Sequence, residues 1–199
     1  MTKIKICGLS RISHIDYVNE AKPDYIGFVF AKSKRQVTYE AAWNLRKSLN
    51  KEITAVGVFV NEPLENIAAI VKSHIVGMVQ LHGDEEETYI KRLKQIIKVP
   101  VIKAVKVEKS LDIEKAEESS ADFLLLDSGA GGTGESFDWS LIKKVSKPFF
   151  LAGGINVTNV EIGIKMTNPF GIDVSSGVEE EGKKSKQKIL EFIRRVRND

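Results

Sequence analysis

Eight short apolar runs recur along the chain with amphipathic stretches between them, and this rhythm leaves few folds open. The runs are IKI near Ile4 and residues 25–30, 54–60, 76–81, 99–105, 122–127, 148–154 and 170–177. Each is too short for a helix, rich in Val, Ile or Phe, and bounded by Gly, Pro or polar residues, as a strand buried on both faces is. The intervening stretches 39–49, 64–72, 86–97, 111–118 and 157–165 carry helical periodicity, and Ser110, Asp138 and Asn156 stand where N-caps of the fifth, sixth and seventh helices belong. Repeated β-then-α units make a parallel sheet with a helix after each strand, and eight such units close a barrel. The expected fold is therefore α/β, a (β/α)8 TIM barrel in one domain over residues 1–199. At roughly 25 residues per unit it has no room for large insertions. An open doubly wound sheet shows the same alternation, but its usual five or six strands fall short of eight.

Composition narrows the function. Thirty Lys and Arg against 27 Asp and Glu give a net charge of only +3, with the two signs interspersed, which does not point to a nucleic-acid partner. The most basic stretch, 183–197, alternates with Ile189, Leu190, Phe192, Ile193 and Val196 at helical spacing and reads as a solvated helix face. One Cys cannot form an intrachain disulfide, and at this length the core needs no such staple. Apolar runs stay well below the roughly 18 residues of a membrane span, and charge interrupts the first ten residues. The expectation is a cytoplasmic protein without a membrane partner.

Two motif matches fail on context. Gly129-Ala130-Gly131-Gly132-Thr133-Gly134 fits GxGxxG and follows an apolar strand, but three residues intervene before the next helix, and the following strand ends in glycines instead of an acidic residue. It reads as a flexible loop over a site. The stretch 177–184 is one residue short of a P-loop, with Lys184 where Ser or Thr would hold magnesium, and its three glutamates would repel phosphates. His14, His74 and His82 are scattered, with no metal-ligand spacing, so no metal is expected.

In a β/α barrel, chemistry sits at the C-terminal ends of the strands. There the chain offers Cys7 after strand one, Arg35 in the loop after strand two, Gln80 and His82 at strand four, Asp127 at strand six and Asp173 on strand eight. Alternation places Lys5 and Cys7 on one face, so the Lys5 charge is expected to lower the thiol's pKa and make Cys7 a usable base. Asp127 is a candidate general acid. Gly153 and Gly154 after strand seven, with Ser175, Ser176 and Gly177 after strand eight, are small enough for backbone N–H groups to converge on an anion. A helix N-terminus following strand eight would add to the attraction. The separation of these groups is not legible at this level.

Several of these segments carry a family resemblance: Lys5-Ile6-Cys7-Gly8-Leu9, Gly57-Val58-Phe59-Val60-Asn61, Gln80-Leu81-His82-Gly83, Leu126-Asp127, Gly131-Gly132-Thr133-Gly134 with Phe137-Asp138-Trp139, Leu151-Ala152-Gly153-Gly154, and Asp173-Val174-Ser175-Ser176-Gly177-Val178-Glu179. Together they resemble the phosphoribosylanthranilate isomerases of tryptophan biosynthesis across nearly the whole chain. The resemblance implies a cofactor-free barrel, monomeric or homodimeric, that performs an Amadori rearrangement on a small phosphorylated substrate. It further implies Cys7 as general base, Asp127 as general acid and Arg35 as the binder of the anthranilate carboxylate. Ala31-Lys32-Ser33-Lys34-Arg35 departs from that family's commoner Ser-Pro-Arg at this point. The related isomerase of histidine biosynthesis uses aspartate at both catalytic ends, and Cys7 stands against it. A silent phosphate-metabolite binder would not need the acid and base that this chain retains.

Overall fold

Eight parallel strands close on themselves in chain order. They are β1 (Lys3–Cys7), β2 (Tyr25–Val29), β3 (Thr54–Phe59), β4 (Met78–Leu81), β5 (Val101–Lys106), β6 (Phe123–Asp127), β7 (Phe149–Leu151) and β8 (Gly171–Val174), with β8 returning to pair β1. The computed structural model describes residues 1–129, 136–143 and 145–197; the glycine-run stretch 130–135 lies outside the described residues.

Most strand residues are buried on both faces, which is why the strands read as short apolar runs, although β5 becomes partly exposed toward Lys106. Inward-pointing Val56, Met78, Ile102, Leu125, Phe150 and Ala152 fill the barrel, joined by Tyr25, Phe123 and Phe170. Phe150 is the hub, with Tyr25 edge-on at 5.6 Å and Phe170 at 5.4 Å between ring centroids. Outward residues such as Ile4, Ile6, Phe28, Leu124 and Leu126 form a separate layer against the helices. Those helices are α1 (Ile12–Ala21), α2 (Tyr39–Ser48), α3 (Leu64–Lys72), α4 (Glu87–Ile96), α5 (Ser110–Glu117), α6 (Val160–Thr167) and α7 (Lys186–Arg197). As the basic stretch implied, α7 buries Ile189, Phe192, Ile193 and Val196 and turns its arginines outward. No helix among the described residues is long and apolar enough to cross a membrane.

The barrel departs from the one-helix-per-strand expectation in its sixth unit. Asp138 does cap, accepting from the Ser140 N–H at 2.9 Å, but only a single 3-10 turn, Trp139–Leu141, follows. Few residues separate that cap from Pro148, which disfavours helical backbone at Lys147. The other caps shift by a residue or more. Ser110 is the first residue of α5, and the Asp112 carboxylate closes the turn by accepting from the N–H groups of Glu108 and Lys109. Asn156 folds an Asx turn onto Thr158, and Asn159 takes the cap position of α6. After β8 comes a hairpin, β9 (Glu179–Glu180) with β10 (Lys183–Lys184), where a helix start was expected. Its turn residues Glu181 and Gly182 both have positive φ, 50° and 75°, as tight hairpin turns require. The P-loop look-alike is this hairpin.

Candidate active site

Cys7 ends β1 and is buried, with Gly8 (φ 84°) turning the chain away immediately after it. Across the ladder it faces Gly27 of β2, where an added Cβ would come within 2.6 Å of the Cys7 sulfur. The glycine is the space the thiol occupies. One layer below, Lys5 is wholly buried, and its Nζ donates to Asp173 Oδ1 at 2.9 Å, with the two residues paired across β1 and β8. Burial opposes the Lys5 charge, but Asp173 and Cys7 outweigh it and hold the ammonium above its ordinary pKa. The thiol behaves differently from the expectation. Burial pushes its pKa up, and although Lys5 and Lys184 pull it down, the net shift is upward. Lys5 softens the penalty of a buried thiolate without overcoming it.

The loop beyond Cys7 rests on His14, whose Nδ1 accepts from the Ser10 N–H at 3.2 Å, so that nitrogen is unprotonated. Burial lowers the imidazole's pKa to about 4. The unfolded chain therefore binds a proton between the ordinary imidazole value and about 4 that the folded chain does not. Stability is expected to fall as pH drops through that window and to be fully restored above it. Urea midpoints measured against pH for the parent and His14→Gln check this, the variant losing the slope.

Asp127 ends β6, which lies three strands from β1 by way of β7 and β8. Its Oδ1 accepts from the Gly129 N–H at 2.9 Å and from Ser128 Oγ at 3.4 Å, which aims the carboxylate at the rim. On β4, Gln80 is buried, and its Nε2 lies 2.9 Å from His82 Nδ1. With the amide nitrogen as donor, the His82 proton belongs on Nε2. Burial lowers the imidazole's pKa, while the nearby Asp127 carboxylate acts in the opposite sense. Gln80 Oε1 is buried with no partner among the described residues. The loop that follows His82 is clamped by Glu85, which accepts from the N–H groups of Asn61 (2.8 Å) and Gly83 (2.9 Å) and from Lys103 Nζ (2.8 Å).

The glycine and serine loops come together between these two ends. Gly153 and Gly154 adopt φ of 75° and 66°, conformations that side chains disfavour, and a Cβ on Gly153 would lie 2.5 Å from the Ser128 nitrogen. Gly177 bridges to Asn156, stitching the β8 loop beside the β7 loop, and a side chain there would collide with the Ile155 carbonyl. Ser175 Oγ donates to the Cys7 carbonyl at 3.1 Å, while Val178 and Glu179 donate back to the Ser175 and Ser176 carbonyls. A tight turn of small residues thus stands where a helix N-terminus was expected.

Arg35 reaches the Cys7 end of the rim, its stem lying over Gly8, and its guanidinium is engaged by Glu179: Nε to Oε1 at 2.7 Å and Nη2 to Oε2 at 2.8 Å. Glu179 Oε1 also accepts from Lys184 Nζ at 2.6 Å. Against the cost of burial, these two cations bring the Glu179 carboxyl down to about 2. The structure therefore gathers all the expected site residues at the C-terminal end of the barrel or just inside it. Three contributors escaped the sequence reading. Gly27 is one glycine among 15, and Glu179 and Lys184 lay inside the rejected P-loop look-alike.

The comparisons with known proteins agree on one kinship. The family model described as N-(5'phosphoribosyl)anthranilate (PRA) isomerase matches residues 4–195. A relative from Endomicrobium trichonymphae, an N-(5'-phosphoribosyl)anthranilate isomerase, is 46% identical over 202 residues, covering 100% of both chains. The crystal structure of phosphoribosyl anthranilate isomerase from Thermotoga maritima superposes with a TM-score of 0.90 at 37% identity, covering 100% of each chain. A phosphoribosyl anthranilate isomerase in complex with reduced 1-(o-carboxyphenylamino)-1-deoxyribulose 5-phosphate gives 0.86 at 35% identity, with the same coverage.

Proposed function

The chain belongs to the N-(5'-phosphoribosyl)anthranilate isomerase family, and from that premise we propose how its barrel mouth divides the work of the reaction. The reaction, a step of tryptophan biosynthesis, converts the aminoaldose N-(5-phosphoribosyl)anthranilate to the aminoketose 1-(o-carboxyphenylamino)-1-deoxyribulose 5-phosphate. Asp127 is the general acid. It protonates the ribose ring oxygen as the lone pair of the anilino nitrogen expels that oxygen from C1, leaving an iminium. Cys7 is the general base. As the thiolate it removes the C2 proton, and the released electron pair flows into the iminium to give an enolamine, which becomes the ketose when C1 gains a proton and the C2 hydroxyl loses one.

The observation that carries this reading is the order of parts around the rim. Acid (β6), glycine loop (β7), serine loop (β8) and base (β1) follow one another. Phosphate bound by Gly153, Gly154, Ser175, Ser176 and Gly177 would therefore enter between the two proton-transfer groups, with the sugar extending over the mouth. Arg35, which follows β2, would receive the carboxylate, and Gln80, His82 and Asp173 would contact the substrate between the two handles. Anchoring both ends of the substrate fixes the reacting carbons over Cys7 and Asp127. The raised thiol pKa makes the thiolate the minor form in the free protein, but each thiolate formed is a stronger base.

We further propose that residues 1–199 act as one barrel domain in the cytoplasm, as a monomer or homodimer, with no cofactor, metal, nucleic acid or membrane taking part. Turnover of phosphoribosylanthranilate, followed by loss of its anthranilate fluorescence in chelator-containing buffer, is the test. Conversion that persists in chelator is expected, and its absence would overturn the assignment.

A further inference from the structure

We propose that Glu179 is a positioning residue for Arg35: it holds the guanidinium by its Nε–Nη2 edge, so that the end-on Nη1–Nη2 edge is the one presented to the substrate's carboxylate. This rests on the reading of Arg35 as the carboxylate anchor.

The geometry shows why both partners fit on one side chain. A guanidinium has five N–H donors, and Glu179 uses two of them at 2.7 and 2.8 Å, both on one side of the plane's long axis. The remaining terminal pair forms a second parallel fork, and such a fork matches a carboxylate. Held by its stem alone, Arg35 would have several rotatable bonds through which to miss that target. The Glu179 grip removes this freedom before substrate arrives.

Glu179 is itself fixed. Its side chain is only 8% exposed, and Lys184, 1% exposed, donates to it at 2.6 Å and to the Ser175 carbonyl at 2.9 Å. Ser175 in turn donates to the Cys7 carbonyl at 3.1 Å. The carboxylate anchor is thus tied by four consecutive contacts to the backbone that carries the base and the anion loop. Charge agrees with this role. Two cations share one carboxylate, leaving one positive charge for a singly charged partner, and the carboxyl stays ionised at any working pH because it titrates only at about 2.

Glu179→Gln keeps the shape but loses the charge and one acceptor. Its KM for phosphoribosylanthranilate is expected to rise roughly 10- to 100-fold, the loss of one charge-assisted hydrogen bond, with a much smaller change in kcat. For an aniline analogue lacking the carboxylate, KM should change little. Arg35→Lys should show the same selectivity, because an ammonium cannot reproduce the fork, and the double variant should lose no more than Arg35→Lys alone. Glu179→Asp keeps the charge but is one carbon too short to grip both Arg35 nitrogens. It supplies the same comparison, with a smaller rise, should the Gln variant fold poorly. Equal losses with both substrates, or additive losses in the double variant, overturn the positioning role while leaving Arg35 as the anchor. No carboxylate dependence in Arg35→Lys overturns the anchor and this inference with it.

Discussion

Cys7→Ala and Asp127→Asn are each expected to lower kcat by roughly 10²–10⁴-fold, the usual contribution of a positioned base or acid, with KM little altered. Asp127→Asn is nearly isosteric and Cys7→Ala removes a single heavy atom, so neither should disturb the fold. Without the thiol, Lys5 keeps its ion pair with Asp173, and an Asn at 127 still offers an oxygen to the Gly129 N–H. The two variants should differ in their pH profiles. In the parent, kcat/KM should climb on the alkaline side, because burial holds the Cys7 thiol above its ordinary pKa and thiolate is what accepts the proton. That limb should vanish in Cys7→Ala and persist in Asp127→Asn. Near-normal kcat in either well-folded variant removes that residue from its assigned role.

The second large effect is expected at the anion loops. Gly154→Asp places a carboxylate among the backbone groups proposed to receive the phosphate, and like charges about 4 Å apart at an effective dielectric of about 20 repel by about 4 kcal/mol. KM should rise by at least ~10²-fold. The backbone at Gly154, with φ of 66°, is a left-handed conformation that Asp tolerates better than most residues, so the fold should survive. Inorganic phosphate should compete with substrate in the parent and lose this effect in the variant. Titration calorimetry with a phosphate-bearing product analogue decides the matter, since undiminished binding to Gly154→Asp would place the phosphate elsewhere.

What could be read from sequence follows from what is local. The strands were legible because burial on both faces makes an apolar run, and α7 because its apolar stripe has helical spacing. Asp138 was read correctly as a cap, yet a cap signals only a start, and nothing local says that the turn stops after Leu141 with Pro148 ahead. Ser110 and Asn156 failed more narrowly, because neighbouring Asp112 and Asn159 offered competing oxygens. Cys7 and Lys5 were placed on the same inward face by alternation. The direction of the thiol's shift was misjudged because it depends on depth of burial and on Asp173, far along the chain, which takes the Lys5 charge. Glu179 was hidden for the same reason, since its bond to Arg35 spans 144 residues.

The pairing of β1 with β8 has a consequence for the chain's own synthesis. Cys7, the proposed base, is carried by β1, and its buried neighbour Lys5 precedes its partner Asp173 by 168 residues. Until β8 inserts, Lys5 lacks the Asp173 carboxylate it pairs with in the folded barrel, and burying an ammonium without its partner is costly. The loop proposed to bind phosphate follows the same strand that completes the ring, so closure of the barrel and assembly of that loop coincide.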